Sequence, residues 1–109
     1  ETLAERAAQK ALGWQAGMVM TPQGADAQVK VRFTDRNGKP VDGLTVEGVL
    51  RRPATTRDDI PLIFRAQGDG VYTATPGAIA AGGWNFHGAA TRDDARFELE
   101  RRMTWTPPR

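Results

Sequence analysis

Apolar and polar residues alternate along most of this chain, and the alternation has two different periods. In residues 2–12, TLAERAAQKAL, the apolar positions Leu3, Ala4, Ala7, Ala8, Ala11 and Leu12 form one stripe at helical spacing. Thr2 followed by Glu5 makes a capping box, and Gly13 is a natural C-terminal stop. This predicts a short N-terminal helix over 1–13. A helix of that length is marginal alone in water, so it must pack on the rest of the chain or continue an upstream helix.

Beyond Gly13 the period becomes two. Ala16–Met20 predicts an edge strand ended by Thr21-Pro22. In Gln28–Thr34, Val29, Val31 and Phe33 share one face, while Gln28, Lys30 and Arg32 share the other. Asp35-Arg36-Asn37-Gly38 supplies turn chemistry, because Asn-Gly accepts positive φ cheaply. Leu44–Arg52 predicts a strand with Leu44, Val46, Gly48 and Leu50 on one face. Residues 53–59, PATTRDD, read as a polar loop. Ile60–Ala66 predicts a strand, Gln67–Gly70 a turn, Val71–Thr75 a strand, and Pro76–Gly82 a connection. Trp84–Thr91 and Arg96–Trp105 form a final hairpin. About seven short strands separated by turn signals predict an all-β, immunoglobulin-like antiparallel β-sandwich over residues 14–106. The short helix stands before it and a frayed tail, 107–109, after it.

The last hairpin can be worked to the residue. With Arg92–Ala95 as the loop, Ala90 faces Phe97, Gly88 faces Leu99, Phe86 faces Arg101 and Trp84 faces Met103 on one side of the sheet. Ala89 faces Glu98, His87 faces Glu100 and Asn85 faces Arg102 on the other. A slip of one residue would exchange the faces. Small-against-large pairs suit the interior, so His87 is expected outside, beside Glu100.

Composition narrows the chemistry. The chain has 109 residues, enough for one domain, with 39% hydrophobic and 26% charged residues. No run approaches the roughly 18–20 apolar residues of a membrane-spanning helix. The net charge is only +2, and the arginines are spread along the chain rather than clustered with aromatics, which argues against nucleic-acid binding. There is no cysteine, no serine and a single histidine. Disulfides, thiolate chemistry, a Ser–His triad and a blue-copper site are therefore excluded. Asp58-Asp59 and Asp93-Asp94 fall in predicted turns, and neighbours on a strand point to opposite faces, so neither reads as a catalytic dyad. Nothing resembles a phosphate-binding loop. No catalytic residue and no small-molecule substrate is expected. Thioether and imidazole ligands suit Cu(I), which leaves Met18, Met20, His87 and Met103 as the candidates for a metal. Strand parity separates His87 from Met103, and packing explains Met18 and Met20 better. Trp14, Met18, Met20 and Trp105 are the candidate protein-contact residues.

The ordered features resemble the periplasmic domain of the FixH family, also called CcoH or RdxH, and are similar to YtkA-like domains. The carriers are LAERAAQKALGW, then GMVMTP, QVKVRFTDRNGKPVDG, GDGVYTATPG and GGWNFHGAATRDDARFELERR, which span nearly the whole chain. The marker residues are Leu12-Gly13-Trp14, Asn37-Gly38-Lys39-Pro40-Val41, Gly70-Val71-Tyr72 and Gly83-Trp84. The resemblance implies a small inner-membrane protein whose single N-terminal transmembrane helix precedes a domain on the periplasmic face. Residues 1–12 would extend that helix. It implies a link to assembly of the cbb-type haem–copper cytochrome c oxidase, with oxidase subunits or copper-delivery proteins as partners. It carries over no catalytic or metal motif. Two other readings remain open: a periplasmic Cu(I)-binding carrier, and a plain structural or adhesion module.

Overall fold

A computed structural model describes residues 13–24, 26–52, 55–93 and 95–106, without the side chains of 55–58. The expected helix over 2–12 and the tail 107–109 lie outside the described residues. The strands are β1 (Gln15–Gln23), β2 (Asp26–Thr34), β3 (Thr45–Arg52), β4 (Thr55–Ile63), β5 (Arg65–Gly68), β6 (Val71–Gly77), β7 (Gly82–Arg92) and β8 (Ala95–Trp105). They form two antiparallel four-stranded sheets, ordered β1-β2-β6-β5 and β4-β3-β7-β8. This is the strand order of an immunoglobulin-like sandwich, with β4 added beside β3.

The alternation in the sequence becomes the two faces of each sheet. Val29, Val31 and Phe33 of β2 are fully buried and meet Leu50, Phe86 and Ala90 from the opposing sheet in one core. Phe33 makes edge-to-face contacts with Tyr72 and with Phe97, at 5.8 and 5.9 Å between centroids. Such pairs add to area burial because ring edges are positive and faces negative. Gly48 and Gly88 stand opposite each other in register. The Phe86 ring lies across both, so a Cβ at either glycine would come within 2.5 Å of its Cζ. Two missing side chains thus make room for one large one.

Three expectations are corrected. Residues 55–59, expected in a polar loop, belong to β4, which pairs through the backbone with β3 from Thr55 to Ile63. Polarity misled because β4 is an edge strand, and an edge strand can be polar and still donate to its one neighbour. The single strand expected over Ile60–Ala66 is broken at Phe64, where the chain crosses between sheets. The Phe64 amide donates to the Val46 carbonyl at 3.0 Å, and its ring turns inward onto Phe86. Finally, β1 does not stop at Thr21-Pro22 but runs to Gln23, paired with Asp26. Proline is tolerated there because an edge strand needs no N–H on its free side.

The connection from β2 to β3 is knotted to the turn before β6. Asp35 Oδ1 accepts the amides of Asn37 and Lys39, at 2.8 and 3.1 Å, which closes the Asn-Gly turn. The Tyr72 hydroxyl donates to the Val41 carbonyl at 2.7 Å and accepts the Leu44 amide at 3.1 Å. The Gly70 amide donates to Asp42 Oδ1 at 2.8 Å, and its carbonyl accepts the Phe33 amide at 2.9 Å. Gly70 has φ 75°, and a Cβ there would lie 2.4 Å from the Phe33 carbonyl oxygen, so only glycine fits. Burial pushes the Tyr72 phenol above its ordinary pKa. The Leu44 amide opposes that shift, Asp42 adds to it, and Arg92 works against it.

Candidate functional site

Among the described residues, no group of three or more histidine, cysteine, aspartate or glutamate side chains converges to hold a metal ion. No helix among them is long and apolar enough to cross a membrane.

The broadest surface is the outer face of β4-β3-β7-β8. Its residues follow from register. One row runs Ile63, Glu47, Ala89, Glu98, and the next runs Pro61, Val49, His87, Glu100. Ile63 is 78% exposed, the most exposed large apolar side chain described. It stands in a shallow depression with Pro61, Ala89 and the imidazole of His87, bordered by the carboxylates of Glu47 and Glu98 and by Arg96, whose Nε lies 3.9 Å from Glu98 Oε2. His87 lies where the hairpin register placed it: its Nδ1 is 2.8 Å from Glu100 Oε1, with both side chains half exposed or more. An exposed pair of that kind contributes little to stability. Arg51 Nε approaches Asp59 Oδ2 at 3.4 Å on the same face. The result is a sheet face of mixed charge, with Arg51, Arg96 and Arg102 among the carboxylates, around an apolar centre. The sequence carried its signal: Ile60, Leu62 and Phe64 share one parity, which leaves Ile63 on the other.

The remaining candidate residues lie elsewhere. Trp14 is half buried, with its ring centroid 6.1 Å from that of Phe97 and the Arg92 guanidinium lying over it at 5.6 Å. Met18 and Met20 point inward from β1 and pack against the core, as does Met103 from β8. Trp105 is 3% exposed and belongs to the core itself. The three methionines therefore occupy the inner faces of two edge strands, β1 and β8. These strands adjoin, because Arg101 Nη2 of β8 donates to the Ala16 carbonyl of β1 at 3.1 Å. His87 is on the outer face of its sheet and does not join them.

The arginines, scattered in sequence, are used as braces. Arg52 Nη1 donates to the carbonyls of Ala81 and Gly83, both at 3.2 Å, and its guanidinium lies 4.8 Å over the Trp84 ring. Arg92 Nη1 donates to the Asp42 carbonyl at 2.9 Å. Arg32 Nε donates to the Asp69 carbonyl at 3.3 Å. Except at Gly83, near the start of β7, these contacts are to connecting loops, and they spread the arginines over separate parts of the fold.

Two of the marker segments of the sequence thus meet in space. Asn37–Val41 and Gly70–Tyr72 build one knot, and Gly83-Trp84 is clamped by Arg52. They are scaffold positions. No curated protein and no solved structure matches the chain. The FixH family model matches residues 1–104, nearly the whole length, and the chain belongs to the FixH family.

Proposed function

We propose that this protein is a non-enzymatic accessory factor for assembly of a cbb-type haem–copper cytochrome c oxidase. It acts by protein contacts at the periplasmic face of the inner membrane, held there by an upstream transmembrane helix. The observation that carries this reading is the family match over residues 1–104. The outer face of β4-β3-β7-β8 supports it, since an exposed isoleucine in a depression rimmed by Glu47, Glu98 and Arg96 suits a partner segment that is apolar at its centre and polar at its margin. Tagged full-length protein should co-purify oxidase subunits from membranes of cells growing at low oxygen. Ile63→Arg should reduce that recovery several-fold without unfolding the domain. Absence of the oxidase from the wild-type sample at every stage of assembly would refute the reading.

A Cu(I) carrier is the second reading. It is favoured by one observation: Met18 and Met20 of β1 and Met103 of β8 all face inward from two edge strands that adjoin. Anaerobic Cu(I) titration against a competing chelator separates the two. Binding tighter than about micromolar, lost in a triple Met→Leu variant, would establish the carrier.

A further inference from the structure

Among the described residues no strand pairs with the outer edge of β1, and that free edge has an unusual distribution of backbone hydrogen-bonding groups. In an antiparallel strand, the N–H and C=O of one residue point to the same side, and successive residues alternate. The Ala16 carbonyl accepts Arg101 rather than serving β2. Pro22 has no N–H to offer Ala27, its partner on β2. Gln23↔Asp26 is the closing pair of a two-residue hairpin connection, which is a hydrogen-bonded pair. All three observations assign the odd-numbered residues to β2. They leave Ala16, Met18, Met20 and Pro22 facing the free edge.

We propose that this edge pairs with its own copy, antiparallel about a two-fold axis through Val19, to form a homodimer with one continuous sheet. With Val19 on the axis, Met18 lies opposite Met20 of the second copy, and Ala16 lies opposite Pro22 of the second copy. Each Met18–Met20 pair exchanges both of its hydrogen bonds. The Ala16 amide donates to the Pro22 carbonyl of the second copy. The Ala16 carbonyl would face a nitrogen that carries no hydrogen, and it is the one carbonyl already taken by Arg101. No polar group is orphaned. Shifting the axis to Met18 would set the Met20 amide of the second copy against that occupied Ala16 carbonyl. Shifting it to Met20 would set the Met18 carbonyl against proline. Of these registers, only that on Val19 gives every available amide a carbonyl it need not share and sets no free carbonyl against proline.

Side chains agree with the backbone. Gln15–Gln23 contains no charged residue, so pairing with itself meets no like-charge repulsion. Val19 is 52% exposed on the outer face. On the axis it would meet Val19 of the second copy in a non-hydrogen-bonded pair, where opposing Cα atoms approach to about 4.5 Å and side chains touch most closely. Gly17 then faces Thr21 of the second copy without crowding, and Gln15 faces Gln23. The dimer stands whether or not the oxidase is the other partner.

The chain has no cysteine, so a single Val19→Cys substitution reports on the register directly. Mild oxidation of the full chain should link Val19→Cys protein at least about tenfold faster than Ile63→Cys protein, whose site is exposed but on the other sheet. Sedimentation equilibrium of the wild type should show a reversible dimer at concentrations of about several hundred micromolar, as suits a small interface. Val19→Lys should abolish it while leaving the melting temperature unchanged, since the side chain is outside the core. A wild type monomeric to about 1 mM would overturn the proposal. Equal cross-linking rates for the two cysteine variants, or a dimer that survives Val19→Lys, would also overturn it.

Discussion

β1 and β8 are both edge strands, and they adjoin across one side of the sandwich, yet they treat their open edges in opposite ways. β8 reads ARFELERRMTW, and Arg96, Glu98, Glu100, Arg101 and Arg102 place charge along it. An added strand would have to desolvate or oppose those charges, which is how natural sheets keep an edge closed. β1 reads QAGMVMTPQ and has none. Its protection is confined to its ends, where Arg101 occupies the Ala16 carbonyl and Pro22 removes an N–H. The middle is open. An edge guarded at its ends and bare at its centre admits a short partner in one register, whereas a charged edge admits none. One residue serves both strands: Arg101 is part of the charge that closes β8 and the group that limits β1.

The two strands differ in depth as well. Leu99 of β8 is 4% exposed, while Met18 and Met20 of β1 are half buried. Leu99→Ala should therefore cost about 2–4 kcal/mol in urea denaturation, and Met20→Ala about half that. Equal losses would show that β1 is as integral to the core as β8. The Tyr72 knot touches neither edge and serves as a control. Tyr72→Phe leaves the Val41 carbonyl and the Leu44 amide without their partner and should cost about 1–2 kcal/mol, with self-association unchanged.

Tyr72 also sets a pH dependence. Its folded pKa is raised above the ordinary value of 10.0, so the neutral phenol is favoured in the folded state. That contribution is fully present below pH 10 and is lost as pH rises through the folded value. Thermal melts of the wild type should fall more steeply above pH 10 than those of Tyr72→Phe. Parallel curves would contradict the assignment.

Smaller effects test the edges themselves. Arg101→Ala should cost less than about 1 kcal/mol of stability, because the bond is exposed, but it should loosen the choice of register in β1. Cysteine cross-linking at Gly17 would then appear alongside that at Val19, while registers that set a carbonyl against Pro22 stay closed. The smallest effect is expected on the outer face: His87→Ala and Glu100→Ala should each change stability by less than about 0.5 kcal/mol, measured by denaturant midpoint.

Much of this was legible in the chain before any coordinates. Parity fixed the β7–β8 pairing from Thr91↔Arg96 to Trp84↔Met103, because one face had to be apolar and a one-residue slip would have reversed it. The same rule put His87 beside Glu100. Where the pattern was weak, the reading failed. Residues 55–59 carry no apolar alternation, so nothing local distinguished β4 from a loop. Ile60–Ala66 alternates without interruption, so nothing local marked Phe64 as the point where the chain leaves one sheet for the other.

The sequence by itself determined which residues face inward on each strand, because side-chain direction alternates with a period of two whatever the partner strand is. It also determined, by lacking cysteine, serine and a second histidine, which chemistries the chain cannot perform. Only the tertiary structure decided which strands are edges and which of their backbone groups remain open. Those depend on pairings between residues far apart in sequence, such as Arg101 with Ala16 and Tyr72 with Val41. Hydrogen-bonding capacity is the same at every non-proline residue. What is left over is a property of the assembled sheets alone.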